Sequence, residues 1–408
     1  QIKFSAVLAT MLLFSTAVFG QGTTGSISGT VVDPNGAIVN GATVKVTNTA
    51  TNNSRVTTTD GDGTFAFQTL QPGRYKVDVT AANFAAYSVE ADVNITQTTT
   101  VDAKLSVGGV GGDVTVDYAA PVIQPETSQQ GRVVTGETLR QLPLPTRNFQ
   151  QLLTLSPGAQ ADVSNTTELG RGDAVISVNG QRRTSNNVRI NGIDANSIGT
   201  NSTPNIAVPA PDSLQEFIVQ TSLYDASNGR NAGGNVEAIT RSGTNRFRGN
   251  VYYFLRDDSF NANDPFVKAR GLERPILDRN QFGGTIGGPV IQDRAFFFVS
   301  YQGTRETNGA SLSNSLTFPV VPAGLTDANR TAAGLAAAFG VPQAAITPSA
   351  LALVNQRLPN GEFVIPSSAA TGLSATTGVP IVQSGESRFE ENQFNFNGDF
   401  NFTQNHTL

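Results

Sequence analysis

The residues that could do chemistry in this chain are few, and their types are one-sided. Of 408 residues none is cysteine and one is histidine, His406, so thiol, zinc-ligand and histidine-base chemistry have almost nothing to run on. Acidic pairs such as Asp257-Asp258 are adjacent in sequence near the end of an extended segment, where a solvated loop explains them better than paired general acids flanking a scissile bond. Asp60-Gly61-Asp62-Gly63 resembles the start of a calcium loop, but the twelfth position, which should be a bidentate Glu, is Gln71. The segment reads instead as a hairpin turn, with Asp-Gly as a type I′ pair. Arg171-Gly172-Asp173 matches an adhesion tripeptide and reads as a coincidence in a loop. No catalytic constellation, metal site or cofactor site emerges, and no enzyme is expected.

Composition narrows the classes further. The 27 basic and 32 acidic residues leave a formal charge of −5, which gives no footprint for nucleic acid. Lys3, the apolar run Ala6 to Phe14, and small residues Val18 and Gly20 before Gln21 form a secretory signal over 1–20. Its apolar core of about ten residues is half of what a spanning helix needs. A chain beginning at Gln1 rather than Met reads as a fragment at that edge.

The elements that must position any function then follow in order. Over 22–107, short alternating runs such as Ala42-Thr43-Val44-Lys45-Val46 recur between tight turns such as Asp33-Pro34-Asn35-Gly36, which predicts a β-sandwich of about seven strands. A glycine-rich linker occupies 108–112. Over 113–243 the pattern is mixed. Thr135 to Pro143 and Asn148 to Gly158 read as short helices, and Val175 to Gln181, Asn187 to Asp194 and Leu214 to Thr221 read as strands. Beyond 244, four strands are expected at about 246–256, 280–287, 295–305 and 392–402. In the last of them Phe394, Phe396, Phe400 and Phe402 share one face and Asn395, Asn397, Asp399 and Asn401 the other. Such an aromatic face opposite Asn suits a barrel wall better than a soluble core. Connection lengths alternate long, short and very long, as an outer-membrane barrel requires.

The junction from Gly233-Gly234-Asn235-Val236 through Ser242-Gly243-Thr244 into Phe247 to Leu255, with the hairpin Gln281 to Tyr301, resembles the plug-to-barrel region of TonB-dependent outer-membrane receptors of the Oar-like group. Residues 22–107 resemble a carboxypeptidase regulatory-like domain, a transthyretin-like sandwich. The resemblance implies a mainly β chain: sandwich, α+β plug over 113–243, then the first strands of a transmembrane antiparallel barrel over 244–408. It implies export to a bacterial outer membrane, contact with membrane lipid, import of an external solute, and TonB as the periplasmic energy-coupling partner. Oligosaccharide or peptide is the expected solute class. Asp113, Val114, Thr115, Val116 and Asp117 resemble a TonB box, which strand addition would engage; a structural strand leading into the next domain is the other reading. Arg189, Asn191, Gly192 and Asp194, with Gly233 and Gly234 at the plug exit, match the plug pattern. Arg182, Arg183 and Arg189 would answer an anionic ligand or pair with barrel-wall carboxylates. A plugged barrel has about 22 strands, so the C-terminus also reads as a fragment edge. The alternative function is surface adhesion or carbohydrate binding without active transport, for which Tyr75, Phe84 and Tyr87 are the sandwich's candidate aromatic platform.

Overall fold

The computed structural model describes residues 24–107, 114–116, 129–161, 176–201, 208–222, 231–263, 274–309, 315–318, 324–367, 381–384 and 386–403, apart from a few single positions within them, together with 169–170, 265, 268 and 406–407. The expected signal segment, the glycine linker and Arg171-Gly172-Asp173 lie outside these residues, except that Val107 borders the linker.

In the first part, Val, Ile and Phe at alternate positions force two sheets to close on each other. One sheet holds β4 (Thr64–Leu70), β1 (Gly25–Val32) and β7 (Thr98–Thr100), with β8 (Ala103–Lys104) also on β1. The other runs β3 (Ser54–Thr58), β2 (Thr43–Asn48), β5 (Gly73–Thr80), β6 (Tyr87–Val93) and β9 (Val114–Val116). Strands β2 and β5 bury every second residue, so Val44, Val46, Val77 and Val79 meet Ile27, Val31, Phe65 and Phe67 in one core. Each such side chain is worth about 1.5–3 kcal/mol of burial. Eight strands rather than seven precede β9, because β7 and β8 pair in parallel with successive halves of β1.

The turn chemistry is local. Asp33 Oδ1 accepts from the amides of Asn35 and Ala37, both at 2.8 Å. Asp60 Oδ1 accepts from the amides of Asp62 and Thr64, and its Oδ2 from the Thr64 hydroxyl. These bonds hold the Asp60 carboxyl below its usual range. They also occupy the group that would have led a calcium loop. The positive φ falls at Gly63 rather than Gly61, and the flanking strands β3 and β4 go to different sheets, so the turn is neither type I′ nor a hairpin: the left-handed residue ends a longer loop that crosses from one sheet to the other.

The second part is built on a five-stranded sheet in the order β10 (Gln130–Thr135), β15 (Leu214–Ser222), β16 (Asn235–Thr240), β13 (Asn187–Ile190) and β14 (Ile193–Asp194). A small pair, β11 (Ala159–Ala161) and β12 (Ile176–Val178), accompanies it. Helix α1 (Gly136–Gln141) starts at the Thr135 cap, as its sequence predicts. Phe149–Leu155 is a 3-10 helix capped by Asn148. Strand β16 is buried at every position and β15 at seven of nine. Phe217 and Val219 face Phe149, Leu153 and Val188 on one side, and the other side is covered by the sandwich.

The third part is an open antiparallel sheet, β17 (Arg248–Asp257), β18 (Leu277–Ile291), β19 (Ala295–Asn308), then β22 (Ser387–Thr403) and the short β23 (His406–Thr407). Strand β17 nearly matches its expected range, and β18, β19 and β22 overrun theirs because pairing continues past the apolar alternation into polar residues: Asp278 pairs with both Asp257 and Thr307. The long β19–β22 connection carries the pair β20 (Ser315–Phe318) and β21 (Ile381–Ser384). It also carries α2 (Ala332–Phe339) and α3 (Pro348–Asn355), each capped by a threonine. Leu325 and Leu335 form a small core there with Phe339, Ile346 and Leu351.

Candidate functional site

The wall has two chemically different faces. Val251 is 90% exposed and Phe394 78%, and Phe247, Tyr253, Leu255, Ile286, Phe396 and Phe402 are exposed with them. The opposite face carries Arg279, Gln281, Thr285, Ser300, Gln302, Thr304 and Glu306, all buried. A face of water-avoiding side chains pointing away from the molecule and polar ones pointing inward is the inverse of a soluble sheet, and it fits lipid outside and a filled lumen inside.

What fills the inner side is the α+β part. Asp212, just before β15, accepts from the Asn250 amide of β17 at 2.7 Å. It also forms an ion pair with Arg147, whose guanidinium lies 5.0 Å from the Tyr252 ring and 3.9 Å from the Phe254 ring of the wall. Asn397 of β22 donates to the Thr240 hydroxyl at 2.7 Å and to the Arg241 carbonyl at 2.6 Å. Arg279 of β18 pairs with Glu306 of β19 at 2.8 Å and donates to the carbonyls of Thr146 and Gly170. Charges this deeply buried are tolerated because each finds a partner.

The plug-pattern residues assemble around one carboxylate. Glu237 pairs with Arg189 at 2.6 Å and accepts from the Gly192 amide at 2.8 Å. Burial pushes the Glu237 carboxyl up, and Arg189 and the Gly192 amide oppose that. Asn191, at φ +52°, exchanges bonds with Thr240: its Oδ1 accepts from the Thr240 amide at 2.9 Å. Asp194 turns the chain by accepting from the Asn196 amide at 2.8 Å. The Gly234 amide donates to Asn186 Oδ1 at 2.9 Å and the Gly233 amide to the Ser185 carbonyl at 2.8 Å. A Cβ on Gly234 would sit 2.7 Å from Val178 Cγ2, which accounts for glycine there. Arg189 therefore pairs within its own sheet, not with a wall carboxylate as one reading expected. Arg182 precedes and Arg183 opens the 3-10 turn Arg183–Ser185, and both are exposed.

Of the TonB-box candidate, Asp113 and Asp117 lie outside the described residues. Val114, Thr115 and Val116 form β9, in parallel register with Tyr87, Ser88 and Val89 of β6. The aromatic-platform residues are not free: Tyr75 is buried and donates to the Gln71 carbonyl at 2.9 Å, and Phe84 and Tyr87 pack on the sandwich core. Among the described residues no group of three or more acidic or histidine side chains could hold a metal.

Sequence reasoning missed the seat between sandwich and plug. Ile95, fully buried in the turn after β6, packs on Ile218 and Ile239. Its amide donates to Glu216 Oε1 at 2.7 Å. Gln220 reaches the Thr96 hydroxyl at 3.4 Å. The sandwich also touches the wall: Asn52 donates to Asp293 at 2.9 Å and the Asn245 amide to the Ala50 carbonyl at 2.9 Å. An open cleft of about 920 Å³ lies between these contacts, lined by Asn48, Arg74, Asn191, Arg241, Arg248 and Asp399 among others.

Three family models match in tandem. A carboxypeptidase regulatory-like domain matches residues 26–106, a TonB-dependent receptor plug domain 124–236, and an outer membrane beta barrel domain 239–408. The TonB-dependent transporter Oar of Myxococcus xanthus is 28% identical over 326 residues, covering 74% of this chain and 29% of that protein. The chain thus spans less than a third of the length of that curated relative. Similar solved structures include the outer membrane transporter YddB from Escherichia coli, at 20% identity and TM-score 0.35 over 44% of this chain and 27% of that one. The siderophore receptor PirA from Acinetobacter baumannii is 18% identical, with TM-score 0.33 over 43% of this chain and 24% of that one. With regulatory-like, plug and barrel models matched in this order, and a wall whose inner face grips the plug, the chain carries the domain series of a TonB-dependent outer-membrane receptor and is similar to the Oar-like group.

Proposed function

We propose that the protein works as an energised transporter, importing an external solute with work relayed by TonB through the segment Asp113 to Asp117. The observation that carries this reading is the plug–wall contact set. It is made of hydrogen bonds, Asn250 to Asp212 and Asn397 to Thr240 among them, and the stacking of Arg147 on two wall rings, rather than an interlocked apolar core. Polar contacts of this kind exchange for water at little net cost, so a plug held by them can shift inside the wall without unfolding it. Strand β9 supports the coupling role, because an extended Val-Thr-Val run is a ready template for strand addition. The sandwich before the plug and the long β19–β22 connection, with its own small core, favour a solute as large as an oligosaccharide or peptide. Arg189, Asn191, Gly192, Asp194, Gly233 and Gly234 serve the plug's architecture in this reading and do not touch solute.

Deletion of Asp113–Asp117 in the complete gene product, followed by uptake of oligosaccharides, peptides and ferric chelates, tests it. Loss of uptake at normal outer-membrane levels is the expected result. Uptake unchanged by the deletion would remove the segment's coupling role, and import of none of these solutes by the intact receptor would shift the reading to surface binding.

A further inference from the structure

Glu216 is a buried carboxylate without a counter-ion. It is 5% exposed and lies on the sandwich-facing side of β15, beside Ile218, with Ile239 opposite it on β16 and Ile95 of the sandwich closing over this patch. Its bonded partner is the Ile95 amide, which belongs to the other domain, so the carboxylate is buried only while the two domains touch. The charged groups around it are already matched to each other. Glu237, on the same sheet face, is paired with Arg189, and on the sandwich side Asp92 is held by Arg74 at 3.0 Å. Asp92 adds repulsion and no cation answers Glu216 among the described residues. An ionised carboxylate in such a place forfeits its hydration for one amide bond, whereas a neutral carboxyl keeps that bond at little cost.

We propose that the sandwich is a proton-controlled latch on the plug, with Glu216 closing the seat against Ile95 when it carries a proton and loosening it when it ionises. The inference is independent of which solute the receptor takes, or whether it takes one. Burial in the seat raises the Glu216 carboxyl from 4.5 to about 7. Docking is therefore strongest below the carboxyl's undocked value near 4.5, weakens as pH rises through the interval up to about 7, and is flat above it. The largest change this interval allows is about 300-fold in the docking equilibrium. Gln220 and Thr96 extend the same seat, so loosening at Glu216 releases a continuous strip of the sandwich rather than one side chain.

Amide hydrogen exchange at Ile95 reads the latch directly, since that amide is sealed by Glu216 itself. In the complete receptor held in bilayer nanodiscs, the Ile95 protection factor, corrected for intrinsic exchange, is expected to fall by up to about 70-fold between pH 5 and pH 8. Glu216→Gln, a neutral isostere that still accepts the amide, should flatten that profile, and Glu216→Met should flatten it through apolar contact alone. Protection that does not change with pH in the wild type overturns the proposal. So does a Glu216→Gln profile parallel to the wild type, or an Ile95 amide unprotected at every pH. A receptor that imports nothing leaves these three readings intact, so failure of the transport reading and failure of the latch are told apart.

Discussion

Removing Arg189 while leaving Glu237 in place is the sharpest perturbation of the plug. The two side chains are 15% and 4% exposed and meet at 2.6 Å. Arg189→Met keeps the aliphatic stem and deletes the charge, which strands a buried carboxylate whose remaining partner is the Gly192 amide. Breaking a buried pair on one side costs about 3–5 kcal/mol. Against a typical stability of 5–15 kcal/mol, that is enough to open the plug inside an intact wall. The double variant Arg189→Met/Glu237→Gln has no charge to strand and still offers an acceptor to Gly192, so most of the loss should return. The sign with pH follows from burial. In the single variant the Glu237 carboxyl, already raised from 4.5, loses the cation that opposed the rise. The penalty is then absent below about pH 4.5 and grows as pH climbs through the interval up to the raised value. Pulse proteolysis in urea on membrane-embedded receptor measures it as a shift in the midpoint of plug cleavage. A single variant as resistant as the wild type at pH 8, or a double variant no better than the single, would refute the argument.

Other outcomes follow from single contacts. Gly234→Ala should lower the same midpoint, because the new Cβ meets Val178 at 2.7 Å and little there can give; Gly61→Ala, with nothing within 4 Å, should leave it unchanged. Arg147→Lys keeps the charge beside Asp212 but loses the planar face over Tyr252 and Phe254, and should weaken plug retention by about 1–2 kcal/mol. Val251→Arg places a cation on the most exposed apolar position of the wall and should cost about 2–4 kcal/mol in folding into lipid vesicles if the site lies near the bilayer midplane. Arginine at the inward-facing Thr285 would carry no lipid penalty.

Much of the architecture was legible because it is written in short-range patterns. The Asp33 turn, the Thr135 cap and the Phe face of β22 each depend on residues within a few positions of one another, and local periodicity is what a sequence exposes. The Asp60 turn shows the limit of that. Asp-Gly signalled a turn correctly but not a hairpin: the flanking strands β3 and β4 lie in different sheets, and the residue with positive φ is Gly63, because the Asp60 carboxylate captures the Thr64 amide and sets a longer loop. The latch seat was invisible for a different reason. Ile95 looks like any core residue of the sandwich, and its partners lie more than a hundred positions away on a strand covered on both faces, where alternation carries no sign. Glu216 within an apolar run was the one available clue, since a carboxylate is rarely buried unless a pair or a special role holds it.

Strand β22 contains 17 residues, which at roughly 3.3 Å each is about 56 Å of chain, or about 43 Å of height at a tilt near 40°. The apolar belt of an outer membrane is only about 25 Å tall. Phe394 to Phe402 occupy the half of the strand nearest the Asp293 turn, while the other end carries Arg388, Glu390 and Glu391 opposite Thr307, Arg305 and Thr304. The wall therefore stands clear of the bilayer like a chimney, with roughly two-fifths of its height outside the apolar belt. On the proposed transport reading, a solute approaching from outside first meets a charged collar rather than lipid headgroups, and its capture should weaken as salt shortens the reach of those charges to about 8 Å at physiological strength.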